Sequence, residues 1–245
     1  MNPLVLFVPI AFAAFLYACV GHGGASAYLA ILVLAGYARP EIASSVLVMN
    51  ILVSGIAVAR FKRAGHLDAK LAASFLVFSA PAAFAGGLVA VPPRIFGIVL
   101  GLALLAAAAR LLLPEPHPRE VALPSGARFW RSVAPLGVGL GLLSGLTGVG
   151  GGIYLSPILL LLGWKDVKAT AGVSAAFIFV NSATSLAGRA ARGDLPNAAF
   201  LPLLVAAVLG GALGARWGAD RAAPTTLRRL LGAVLLLAAG KLLFA

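Results

Sequence analysis

Gly145-Leu146-Thr147-Gly148-Val149-Gly150-Gly151-Gly152-Ile153-Tyr154-Leu155-Ser156-Pro157 lies between two apolar runs. Five of its first eight residues are glycine. A second copy stands near the N-terminus, as Val20-Gly21-His22-Gly23-Gly24-Ala25-Ser26-Ala27-Tyr28-Leu29. Consecutive glycines free the backbone for conformations closed to other residues and for close approach to a ligand. Deep in apolar sequence, the two stretches read as matched breaks in membrane helices.

Composition sets the class. Hydrophobic residues make up 61% of the chain and charged residues 11%, where a soluble domain carries roughly a quarter charged. The chain is therefore expected to be an all-α polytopic membrane protein. Its 245 residues allow about eight to ten crossings at about 20 residues each. The formal charge of +12 does not point to nucleic acid, since no segment leaves room for a reading domain. Most Lys and Arg fall in short connections, as cytoplasmic loops require. Cys19 is the one cysteine, so no internal disulfide forms, and no Cys/His cluster has metal-ligand spacing. Met1-Asn2-Pro3 carries no basic n-region, which predicts a retained first helix and not a signal peptide.

Outward from the glycine stretches, apolar segments fall at about 4–20, 26–36, 41–59, 71–91 and 95–113. A proline-rich, charged linker occupies 114–131 and is expected on the cytoplasmic side. Five more segments follow, at about 133–146, 153–162, 167–188, 198–217 and 227–244. The expected organisation is a first transmembrane repeat over 1–113, the linker, and a second repeat over 132–245. Ordered pairs support it: Gly21 with Gly148, Gly23 with Gly150, Gly24 with Gly151, Tyr28 with Tyr154, Asn50 and Ser54 with Asn181 and Ser185, and Gly86-Gly87 with Gly210-Gly211.

Five segments per half is an odd number, so two halves in series are predicted to be inverted. With alternating segments, 14 Lys and Arg fall on one side and 5 on the other. That bias places the first set in the cytoplasm of an inner-membrane protein, with both termini outside. Ten full spans and eight spans plus two re-entrant hairpins give the same count. Both remain open at this point, with the broken or re-entrant helices near the midplane.

All seven acids fall in connections or at segment ends. Cation-driven transporters commonly bury a carboxylate at mid-depth, and none is visible here. The free N–H groups that open a helix carry partial positive charge and favour an anion. Transporters built from inverted repeats place such half-helix starts near the bilayer midplane. The candidate substrate-binding residues are Gly23, Gly24, Ser26, Tyr28, Asn50, Thr147, Gly150, Gly151, Gly152, Tyr154, Ser156, Ser174 and Asn181. Ser174 and Asn181 share a helical face with Thr170 and Ser185. Hydrogen bonding between helices accounts for that face equally well. His22, inside the first break, is the candidate for proton coupling. Gly137, Gly141 and Gly145, and Gly210, Gly214 and Gly218, recur every fourth residue and are expected to serve helix packing. A dinucleotide fingerprint requires a βαβ context that is missing. No catalytic residues, metal or cofactor are expected.

The chain resembles the TauE/SafE family of membrane permeases, also called the sulfite exporter family. The resemblance is strongest at 145–157, 169–188 and Gly193-Asp194. It implies transport, with export as the expected direction, of a small sulfur-containing anion such as sulfite or an organosulfonate. Alternating access, a lipid bilayer and a coupling ion, proton or sodium, belong to that expectation; no oligomeric state does. The rival readings are a passive channel for a small anion or neutral solute, and a membrane enzyme or assembly factor.

Overall fold

The structure is a computed structural model that describes residues 3–37, 39–89, 121–244 and the isolated positions 105, 108, 109 and 112. The apolar segment expected at 95–113, apart from those positions, and the linker stretch 114–120 lie outside the described residues.

The described chain is helical. A 3-10 turn (Pro3–Leu6) leads into α1 (Phe7–Cys19), and after the first glycine break α2 (Ala25–Leu34) follows. Next come α3 (Arg39–Arg63) and α4 (Ala69–Leu88). The second part has α5 (Gly126–Thr147), α6 (Gly152–Leu161), α7 (Val167–Ala191), α8 (Leu201–Arg216) with a π-helical turn at Trp217–Arg221, and α9 (Pro224–Phe244). Among the described residues, five helices are long and apolar enough to cross a membrane: those of α3, α4, α5, α7 and α8. α2 and α6 have 10 residues each, about 15 Å and half the hydrocarbon core.

Local sequence explains the ends. Asp68 and Asp166 cap α4 and α7 by accepting the Leu71 and Ala169 N–H groups, the ordinary role of Asp at an N-cap. Helix α5 begins at Gly126, earlier than position 133, because Phe129 and Trp130 in its first turns pack on Trp164 and Phe78.

Both short helices turn back. Val121, ahead of α5, donates its N–H to the Gly163 carbonyl beyond α6 at 2.7 Å, and Phe129 stacks on Trp164. The end of α6 therefore lies beside the start of α5. In the first part, the 3-10 turn at Pro3–Leu6 packs on α8, and Tyr37, past α2, meets Phe200 at the start of α8 with ring centroids 5.1 Å apart. α1–α2 and α5–α6 are thus antiparallel helical hairpins.

Each hairpin lies against a long helix from the other part of the chain. A side chain on Gly210, Gly214 or Gly218 of α8 and its π turn would strike the backbone of Ala11, Phe15 or Cys19 on α1. A side chain on Gly137, Gly141 or Gly145 of α5 would strike the backbone around Phe75, Ser79 or Ala83 on α4. All six glycines serve close helix packing, as their spacing predicts. Between the two pairs run α3 and α7, antiparallel. Ser44 meets Asp194 at one end, and a side chain on Gly172 would meet the His66 carbonyl at the other.

Basic residues collect at one end. Arg60 faces Asp220 at 4.0 Å and Lys165 pairs with Asp68 at 2.7 Å. Lys168 donates to the Ala219 carbonyl.

Candidate functional site: two broken helices on one asparagine

Helix α2 opens on Gly24 and α6 on Gly151, with φ of 95° and 73°. Only glycine takes that left-handed backbone at little cost. It lets a chain leaving one helix turn sharply into the next. Both glycine stretches are therefore true breaks, and the short helices start within one residue of positions 26 and 153.

Asn50 stands where the two breaks meet. Its Oδ1 accepts the Ala25 N–H at 3.1 Å and so caps α2. Its Nδ2 donates to Ser182 Oγ at 2.8 Å. A side chain at Gly23 would fall on Asn50 Oδ1, and one at Gly150 would come within 2.5 Å of Asn50 Nδ2. Both glycines are thus required for the carboxamide to fit between the breaks. Asn50 lies near the middle of α3, and Ser182 near the middle of α7.

The hairpin tips extend past this point. A side chain at Gly21 would meet the Ala171 backbone, early in α7. A side chain at Gly148 would meet the Arg189 guanidinium, near the end of α7, at 3.3 Å. The two tips therefore pass one another along α7.

A second chain of contacts ties the hairpins together. His22 Nε2 lies 2.8 Å from Ser156 Oγ on α6, and Ser156 Oγ lies 2.7 Å from Ser174 Oγ on α7. Tyr17 and Ser26 share a hydroxyl hydrogen bond at 2.9 Å. The Tyr28 hydroxyl donates to the Gly23 carbonyl at 2.7 Å. Beside these groups is a cavity lined by Tyr17, His22, Gly24, Ser26, Ile153 and Ile178, among others. It measures about 10 Å³, room for about one water molecule. In this state the cavity is too small for a polyatomic ion.

The other candidates sit around it. Asn181 turns toward α4, where its Oδ1 accepts the Ser79 hydroxyl at 3.0 Å. Thr147 bonds back to the Leu143 carbonyl of its own helix. Tyr154 is buried in the first turn of α6. Gly152 is packed against Ile178, where an added side chain would strike it. Asn50 and Asn181 share one local device: Ser54 bonds the Asn50 carbonyl at 2.6 Å, and Ser185 bonds the Asn181 carbonyl at 2.5 Å.

Sequence reasoning missed Tyr17 and Ser182, whose only signal is a hydroxyl in an apolar run. It also placed Arg189 in a connection. Helix α7 instead continues to Ala191, and Arg189 is 7% exposed. Its guanidinium pairs with Asp194 at 3.1 Å and reaches the Gly145 carbonyl at 3.5 Å. That carbonyl lies in the last turn of α5, where a cation is favoured. Asp194 also takes Arg192 at 3.0 Å and the Ser44 hydroxyl at 2.9 Å. Burial raises the Asp194 carboxyl, but the bonds from Ser44, Arg192 and Arg189 outweigh it and hold it below the usual carboxylate value. Among the described residues, no cluster of three or more His, Cys, Asp or Glu could hold a metal.

Comparison with known proteins identifies the family. The profile of a family described as "Sulfite exporter TauE/SafE" matches residues 6–242. A protein of Sinorhizobium fredii, named "Probable membrane transporter protein y4hK", is 33% identical over 242 residues, 93% of each chain. No solved structure matches the chain.

Proposed function

The chain belongs to the TauE/SafE family of membrane transporters, and from that premise we propose that it carries a small anion, sulfite or an organosulfonate, through the inner membrane, with export as the direction. The anion sits between the first turns of α2 and α6. The carrying observation is the seat at Asn50: two glycine-broken helices open on one buried carboxamide, near the middle of two 25-residue helices. Helix starts supply N–H donors and partial positive charge without a fixed cation. Ser26, Tyr28 and Ser156 add hydroxyls within the same shell.

The two parts of the chain work as inverted repeats under this reading. The exchange of partners, α1 with α8 and α5 with α4, supports it. So does the shared Asn–Ser device on α3 and α7. Alternating access comes from rocking of the hairpins against the long helices. The end bearing Arg60, Lys165 and Lys168 is the cytoplasmic one, with both termini outside. A coupling ion, proton or sodium, drives the cycle.

The test is binding by thermal shift on the purified protein. Sulfite, sulfate, thiosulfate, sulfoacetate, simple carboxylates and chloride are compared for the native chain, Gly151→Leu and Ser26→Ala. A shift specific to one sulfur oxyanion, reduced in Ser26→Ala and lost in Gly151→Leu, is the expected result. A shift produced only by neutral solutes or cations overturns the anion reading.

A further inference from the structure

Given the anion reading above, on which this inference rests, we infer that His22 supplies the countercharge for the bound anion by taking up a proton through Ser156 and Ser174, so that each anion moves with one proton.

The argument begins with charge. The residues lining the cavity include no Asp, Glu, Lys or Arg. An anion taken out of water without a countercharge is strongly disfavoured. Helix dipoles supply only partial charge. One titratable base lines the cavity, and it is His22, 1% exposed. The other titratable group on the lining is Tyr17, neutral near pH 7, with a ring centroid 6.4 Å from the imidazole.

Geometry assigns the two ring nitrogens. Nε2 is held by Ser156 Oγ at 2.8 Å. Nδ1 is buried and makes no hydrogen bond of normal geometry. The elements around the ring present only neutral groups: Tyr17 from α1, Ser26 from α2, the Gly152 backbone and Ser156 from α6, and Ser174 and Ile178 from α7. With one proton the imidazole is acceptor at one nitrogen and donor at the other. With two, Nδ1–H donates to an anion oxygen while Nε2–H donates to Ser156.

The hydroxyls give the proton a route. Ser156 passes its proton to Nε2 and takes one from Ser174 at 2.7 Å. Ser174 is replenished from the Lys165 end of α7, where Thr170 lies one helical turn away and donates to the Lys165 carbonyl. No heavy-atom bond forms or breaks; one proton enters as one anion binds and leaves when it departs.

The test uses proteoliposomes with an entrapped pH dye, and anion flux followed separately by sulfur label. Thiosulfate and sulfoacetate serve beside sulfite, because neither has a group titrating near neutrality. The native chain should acidify the lumen by about one proton per anion entering. His22→Gln, which offers Ser156 a polar partner but cannot titrate, should abolish the proton signal and lower flux at least about tenfold. Ser156→Ala should slow both fluxes together. The anion-induced thermal shift should weaken with rising pH in the native chain and be flat with pH in His22→Gln. Anion flux without proton movement, or a His22→Gln variant that keeps both, overturns the inference and leaves the anion reading standing. If none of the three anions moves or binds, the anion reading fails and this inference with it.

Discussion

Asn50 Nδ2 lies 2.8 Å from Ser182 Oγ, across 132 positions of sequence, while the same carboxamide caps α2 through the Ala25 N–H. One side chain thus fixes the crossing of α3 with α7 and the start of a half-helix.

Asn50→Ala should therefore act on stability and on binding together. It leaves the Ala25 N–H and the Ser182 hydroxyl without that partner, and a buried polar group left unpaired costs about 1–3 kcal/mol. A lower melting temperature in detergent, with loss of the anion shift, is expected. An Asn50→Ala protein that melts normally and binds normally would remove Asn50 from the site.

Two glycines on α5 should respond in opposite directions. A methyl on Gly139 meets nothing within 4 Å, and Ala is favoured over Gly in a helix interior by about 0.8–1 kcal/mol. A methyl on Gly141 strikes the Ser79 backbone, and such overpacking costs about 1–3 kcal/mol. Gly139→Ala should melt at or above the native temperature and Gly141→Ala below it. Equal effects would mean that α4 and α5 are not in this register.

Acid should loosen the Asp194 junction. The folded carboxyl sits below its ordinary value, so its contribution is fully present above about pH 3.9. That contribution is lost as pH falls through the lower folded value. Asp194→Asn should flatten the acid limb of a pH–melting profile. Asp68 behaves the same way: burial raises it, but the bonds from Lys165 and Leu71 bring it lower.

Sidedness is open to direct labelling. In a Cys19→Ser background, cysteines at Lys62 and at Leu195 stand at opposite ends of α3 and α7. Leu195 is 67% exposed. A membrane-impermeant thiol reagent on intact cells should label position 195 and spare position 62. The reverse pattern would invert the orientation.

The breaks were legible because positive φ is demanded of particular residues, and Gly24 and Gly151 advertise it. The packing glycines were legible because their period matches the helix. Asn50 stood out as an amide in an apolar run. The folding back of α5 on α6 was legible from the break between them, while full spans and re-entrant hairpins share one charge count. Arg189 was missed because α7 runs three residues past Gly188 and folds its cation inward. Tyr17 was missed because its hydroxyl partner, Ser26, lies beyond the turn.

The exchange of partners also bears on how the chain is assembled. Hairpin α1–α2 is made first, yet the helix that receives it, α8, emerges from the ribosome some 180 residues later. Until then the close-packing surface at Ala11, Phe15 and Cys19 faces lipid or a chaperone. A ribosome stalled in the linker would hold an unfinished hairpin that a separately supplied C-terminal fragment should be able to complete. Docking of the first hairpin thus waits on a helix from the second part of the chain, and co-expression of the two fragments is the natural way to watch it.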